Sequence, residues 1–272
     1  MSKTSVISVG FLFLALWSFA QAESPSSVDQ SRLPHQVERI DGVLVPIPSE
    51  IFNTQDKFPT PNWQIVLRPE LAALRPSGNA AHIALSLGIV IGEGFIAVAA
   101  ENRADVQKLG KAALKLARAL GVEKSVLRRV NSIVDHADNK EWAAVRKEWS
   151  GVNVDLKRAM IELQSEPLSQ LVSLGGWLRG ADALSNLVSQ HYSAENAQLL
   201  HQPVLLDYFG KRLSQMGSKI RVDPTVIDME NGIMRLRPLI VTGNSRPISE
   251  KDVKEIHDMV AGLIKSIDTR AQ

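Results

Sequence analysis

The chain contains no cysteine. That excludes disulfides, thiolate metal sites, a cysteine nucleophile and a lipid-anchored lipoprotein. It also has little net charge. There are 31 basic and 29 acidic side chains, a balance of +2 over 272 residues. Such a balance leaves no electrostatic footprint for nucleic acid or anionic lipid. Catalytic signatures are missing too. The six histidines are His35, His82, His136, His191, His201 and His257, and none stands in HExxH or in a Glu-x-x-His pair. There is no GxSxG, no P-loop and no GxGxxG after a strand. His136 follows Asp135 on a helical pattern, so the two diverge and read as surface or structural groups. His191-Tyr192 and His201 flank one helix start without a metal-ligand spacing. No catalytic residue, metal or cofactor is expected from these patterns. Alternating ten-residue strands are absent as well, which argues against an outer-membrane barrel.

What is present is the balance of a globular protein, with 44% hydrophobic and 22% charged residues. A chain this long buries a sizeable core without covalent staples. Residues 1–22 read MSKTSVISVGFLFLALWSFAQA. Lys3 is followed by an apolar stretch from Val6 to Trp17 and a small-x-small site at Ala20-Gln21-Ala22. This pattern predicts a cleaved secretory signal peptide of bacterial style, hence a periplasmic or secreted protein.

Seven of the 13 prolines fall between residues 25 and 69. Proline fixes φ and removes a donor, so 23–67 is expected to be a proline-rich irregular arm. Within it, Asp41-Gly42 marks a turn, Val43 to Pro48 an extended segment, and Trp63, Ile65 and Val66 the anchors onto the domain.

From 68 onward the periodicity is helical. Val106 to Leu120 fall on one face, with Gly121 at a C′ position. Val126 to Ala137 make the next face. Asp138 is expected to cap the following helix, with Glu141 as its capping-box partner. That helix carries Trp142, Val145, Trp149, Val152, Leu156, Ala159 and Leu163 at alternating three and four spacing. The seam is of coiled-coil type and suits an antiparallel hairpin within one domain. Pro167 opens another helix to about Gln190. Ser193 caps a short one, Asp223-Pro224 starts one that ends near Pro238, and Ser249 with Asp252 starts the last. The expected fold is all-α: an antiparallel bundle of about nine helices over 68–272, with a weak sub-boundary near 217.

Ala80 to Ala100 is the unusual segment. It is long enough to cross a bilayer. Only nine of its 21 residues are Ile, Leu, Val or Phe, however, and Glu93 lies past its middle. A buried central helix is the better expectation. Ala80, Ala84, Gly88 and Gly92 form a ridge of small side chains at four-residue spacing. Gly176 and Gly180 form a second, so the two helices are expected to cross there. SLG occurs at Ser86-Leu87-Gly88 and again at Ser173-Leu174-Gly175.

His82, Ser86 and Glu93 share a polar stripe opposite the small ridge. The stripe is expected to graze solvent or line a pocket. With Arg179 these residues form the candidate binding set. His82 and Glu93 lie roughly 16 Å apart along the helix and cannot act as a direct pair. The helical wheel argues against a Glu93–Arg179 ion pair and for a local Arg179–Asp182 pair. The function expected is that of an exported, non-catalytic helical module binding a protein partner or a small molecule. Two alternatives stand beside it. One is a periplasmic enzyme with Glu93 as acid or base and Arg179 or His82 as electrostatic partner. The other is a membrane-associated protein using 80–100.

Overall fold

The computed structural model describes residues 37–40, 43–46, 62–76, 78–241 and 246–269. The expected signal peptide and most of the proline-rich arm lie outside the described residues. The protein is an all-α multi-helix bundle. Its helices are α1 (Ala80–Ala99), α2 (Arg103–Ala119), α3 (Glu123–Asp138), α4 (Trp142–Glu162), α5 (Glu166–Gln190), α6 (Ala194–Ala197), α7 (Pro203–Ser214), α8 (Ser218–Arg221), α9 (Pro224–Val241) and α10 (Glu250–Thr269). Two 3-10 turns, Trp63–Val66 and Pro69–Ala73, precede them. One hydrophobic cluster joins residues on both sides of 217, from Trp63 to Ile267.

The arm holds a strand pair where only an extended segment was expected. β1 (Val37–Ile40) pairs antiparallel with β2 (Val43–Pro46), Ile40 opposite Val43. Val37, Ile40, Val43 and Val45 are β-branched, the type that suits a pleated ribbon. Of the three expected anchors, Trp63 and Val66 are buried, while Ile65 is 46% exposed. In a tight 3-10 turn, neighbouring side chains fan outward and cannot all face the core.

The helix ends follow local chemistry. Gly121 has φ +76, the left-handed turn that ends α2. Asp223 Oδ1 accepts from the Thr225 amide at the start of α9. Asp138 does not cap α4. It ends α3 and accepts from Arg103 Nε at 2.6 Å and Gln107 Nε2 at 2.8 Å. The chain instead reverses through Lys140 at φ 60, with the Glu141 amide donating back to His136. Helix α9 runs past Pro238 to Val241. Pro238 and Met234, four residues before it, are both exposed, so the missing helix hydrogen bond falls on the outer face, while Leu236 and Ile240 stay in the core.

At the start of α10, Ser249 and Asp252 form a reciprocal box. The Ser249 amide donates to Asp252 Oδ2 at 2.9 Å, and the Asp252 amide donates to Ser249 Oγ at 3.2 Å. Arg246 Nη1 adds a 2.7 Å bond and, as the largest influence, holds the Asp252 carboxyl down to about 2 from 3.8. A depressed folded value stabilises the fold above pH 3.8 and stops doing so as pH falls toward 2. Asp252→Asn is therefore expected to cost about 1–2 kcal/mol at pH 7. Urea titrations at pH 7 and pH 3 check this: the gap between wild type and variant narrows at the lower pH.

Helices α2, α3 and α4 zigzag. Arg118 near the end of α2 bonds Glu123 at the start of α3, and Arg103 at the start of α2 bonds Asp138 at the end of α3. The α3–α4 seam is an intradomain hairpin, with Val145, Trp149, Val152 and Leu156 buried. Met160 completes the seam. Ala159 is half-buried, and Leu163, beyond the helix end, is 58% exposed.

Helix α1 lies at the centre. By length and composition it could cross a membrane, yet every residue from Ala81 to Val98 is buried inside the fold. Trp149 packs on Gly94, where a Cβ would fall 1.6 Å from the ring, and its Nε1–H donates to the Ile91 carbonyl at 3.0 Å. The closest crossing is with α5. A Cβ on Gly88 would sit 2.0 Å from the Val172 oxygen, and one on Gly175 would sit 2.2 Å from the Leu85 oxygen. The close approach thus brings Gly88 against Gly176, as the two ridges suggest, and adds Gly175, the last residue of the second SLG. The contacts are reciprocal: Gly88 faces Val172 and Gly176, while Gly175 faces Leu85 and Ile89. Further along, Gly92 faces Gly176 and Arg179, so α1 and α5 run in the same direction. Only glycine lets two backbones meet in this way, with Cα–H groups against carbonyl oxygens.

Candidate functional site

The close crossing sets the position of the main polar cluster. Gly92 brings the α1 backbone against the Arg179 side chain, with a would-be Cβ 3.0 Å from Arg179 Cβ. The adjacent Glu93 then reaches the guanidinium. Arg179 Nε donates to Glu93 Oε2 at 2.6 Å, and both side chains are 0% exposed. This corrects the expectation from the helical wheel. A wheel treats side chains as radial spokes, but at a glycine crossing the axes are so close that a long arginine wraps around the contact. The expected Arg179–Asp182 pair is also present, Nη1 to Oδ2 at 3.1 Å.

The arm closes the cluster. Arg179 Nη2 donates to the Val66 carbonyl. The Arg68 amide donates to Glu93 Oε1 at 2.6 Å, and Arg68 Nη1 donates to Asp182 Oδ2 at 3.0 Å. Arg68 precedes a proline, which keeps its backbone out of helical space and its N–H available. From α10, His257 Nδ1 lies 3.4 Å from Asp182 Oδ1 without a hydrogen bond, and 3.3 Å from Ser185 Oγ. Two guanidinium groups and two carboxylates thus meet where the arm, α1 and α5 converge, with His257 beside them. Burial still pushes the Glu93 carboxyl above its ordinary value. The Arg179 charge and the Arg68 amide oppose that push without cancelling it.

The other two members of the candidate set are placed elsewhere. His82 is buried, and its Nε2 lies 2.5 Å from the Ile267 carbonyl, tying the start of α1 to the end of α10. Ser86 is fully buried, and its Oγ has no hydrogen-bond partner among the described residues. The expected polar stripe does not graze solvent, since His82, Ser86 and Glu93 are all buried. Helices and the arm enclose α1 on all sides, so the stripe divides into a histidine tie, a lone hydroxyl and an ion pair.

Three concave surfaces lie on the outside. The α9–α10 groove, of about 830 Å³, is lined by Asp228, Met234, Arg235, Glu255, Asp258 and Met259 among others. One of about 530 Å³ separates the Pro69–Ala73 turn from α2. One of about 320 Å³ lies between the start of α1, Pro167 and Asp223. None of the three is lined by Glu93, Arg179 or Asp182. Among the described residues no group of three His, Asp or Glu is placed to hold a metal ion. Sequence reading missed Arg68 and His257. Each is a single polar residue far from Glu93 along the chain, and only the arm's path and the α10 packing bring it there. Compared with protein families, characterised proteins and solved structures, the chain matches none.

Proposed function

We propose that this protein is an exported, non-catalytic helical module that acts by binding a partner on its outer surface. The observation that carries this reading is the closure of the polar cluster. Both oxygens of Glu93 and three nitrogens of Arg179 are engaged within the protein. A general acid or base must come within hydrogen-bond reach of the substrate atom it protonates or deprotonates. Glu93 has no such approach, so its charge is used to pin the arm onto α1 and α5. The membrane alternative loses support for a similar reason: the apolar helix α1 already has its partners within the bundle. The leader and the absence of catalytic motifs support export and binding from the sequence side.

Native mass spectrometry of the mature protein, purified gently from its own host, tests the reading. A stoichiometric adduct or a second chain is expected. A bare, monodisperse monomer contradicts it.

A further inference from the structure

Helix α2 carries five basic residues and one acidic residue. Lys108, Lys111 and Lys115 recur at three- and four-residue steps and are all exposed, so they form a stripe about 10 Å long. The stripe edges the 530 Å³ groove whose other wall is the Pro69–Ala73 turn, and the exposed Arg75 stands on that wall. The rest of the lining is apolar: Pro69, Ala72, Ala73, Leu74 and Ala112. Among the described residues no carboxylate lines the groove. Lys108 meets Asp105 at 3.3 Å. Arg75, Lys111 and Lys115 have no carboxylate partner among the described residues. The neighbouring cations of the same helix differ in this respect, since Arg103 and Arg118 are each paired with an acid on α3.

We infer that this groove is the docking surface for an acidic segment of a protein partner, an inference that rests on the binding reading above. Cations spaced along a helix at three and four residues match carboxylates at the same spacing on a partner helix. The apolar lining takes a small aliphatic side chain between them. The lining argues against nucleic acid. Single-stranded nucleic acid stacks its bases on aromatic side chains, and among the described residues no aromatic one lines this groove.

The test uses the mature protein and its Lys111→Glu/Lys115→Glu variant, both changes being at exposed positions. The probe is a fluorescently labelled synthetic helical peptide bearing glutamates at positions i, i+3 and i+7 and one leucine on the same face. Anisotropy titration is expected to show binding that falls roughly tenfold or more in the variant and weakens with salt. A lysine version of the peptide is expected not to bind. Equal affinity of the two proteins for the glutamate peptide, or no wild-type binding, overturns the inference. So does co-sedimentation with phosphatidylglycerol vesicles that the variant loses, since that assigns the groove to lipid. The native mass spectrum separates the two proposals. An adduct that survives in the variant, with no peptide binding by either protein, removes this groove and leaves the binding module standing.

Discussion

Gly88→Ala is expected to destabilise the protein by at least about 3 kcal/mol, although it adds one methyl group. The methyl carbon would fall 2.0 Å from the Val172 oxygen and 2.9 Å from the Gly176 nitrogen. Both are backbone atoms of α5, so no side chain can rotate away. The helices must separate, and separation opens the contacts of α1 with α5 along their shared length. For a chain of this size the loss corresponds to a melting temperature lower by roughly 6–12 °C. Gly175→Ala meets the Leu85 oxygen at 2.2 Å and is expected to behave alike. Gly262→Ala is the control. Nothing lies within 4 Å of its would-be Cβ, and alanine is the better helix former, so a gain of about 0.5–1 kcal/mol is expected. Thermal unfolding followed by circular dichroism checks all three. Wild-type melting of Gly88→Ala would mean that the helices do not cross there.

Arg179→Met is the second large effect. It strands Glu93, already shifted upward by burial, with only the Arg68 amide as partner. Removing one partner of a buried ion pair costs about 3–5 kcal/mol, because the other charge remains without compensation. Glu93→Gln is expected to lose a few kcal/mol at pH 7 as well. The amide cannot accept at both ends, and the Arg68 N–H and Arg179 Nε–H both need an acceptor. The double variant Glu93→Leu/Arg179→Met is expected to lose less than the two single losses added together, since no stranded charge remains between them.

The pH dependence has a definite sign. A carboxyl with a raised folded value binds its proton more tightly in the native state, so its contribution falls as pH rises above about 4.5. In Arg179→Met the opposing charge is gone and the carboxyl moves higher still. The stability gap to wild type is therefore expected to shrink between pH 7 and pH 5. Urea titrations of the two proteins at these pH values provide the measurement. A gap that stays constant or widens on acidification would show that Glu93 is not the group being stranded.

Most of the helical architecture was legible along the chain, because it is written in local terms. Three- and four-residue spacing, Gly121, Pro167, Ser193 and the Ser249–Asp252 pair act within a turn or two of themselves. The glycine ridge on α1 was legible for the same reason, since small residues every four positions announce close contact. The ridge on α5 was legible in part: Gly176 meets Gly88 and Gly92, whereas Gly175, outside the four-residue ridge, also makes a tight approach, and that depends on how two helices slide past each other. Glu93 and Arg179 were singled out, but their pairing was read with the wrong sign. The wheel describes directions about one axis and carries no information on how near a second axis lies. Arg68 and His257 join the cluster from segments more than 20 residues and more than 70 residues from their partners. The groove cations show a related limit. An overall balance of +2 says nothing about how charge is distributed, and the basic groove appears only once the Pro69–Ala73 turn is seen to face α2.

The central claim is that the buried Glu93–Arg179 cluster holds the fold while the work of the protein is done on its surface. Native mass spectrometry of Glu93→Gln, purified from its host beside wild type and kept well below its melting temperature, tests that claim most directly. The account predicts a folded variant that carries the same adduct at the same stoichiometry as wild type, despite its lower stability. A folded Glu93→Gln protein that has lost the adduct would contradict it and would return the functional site to the centre of the bundle.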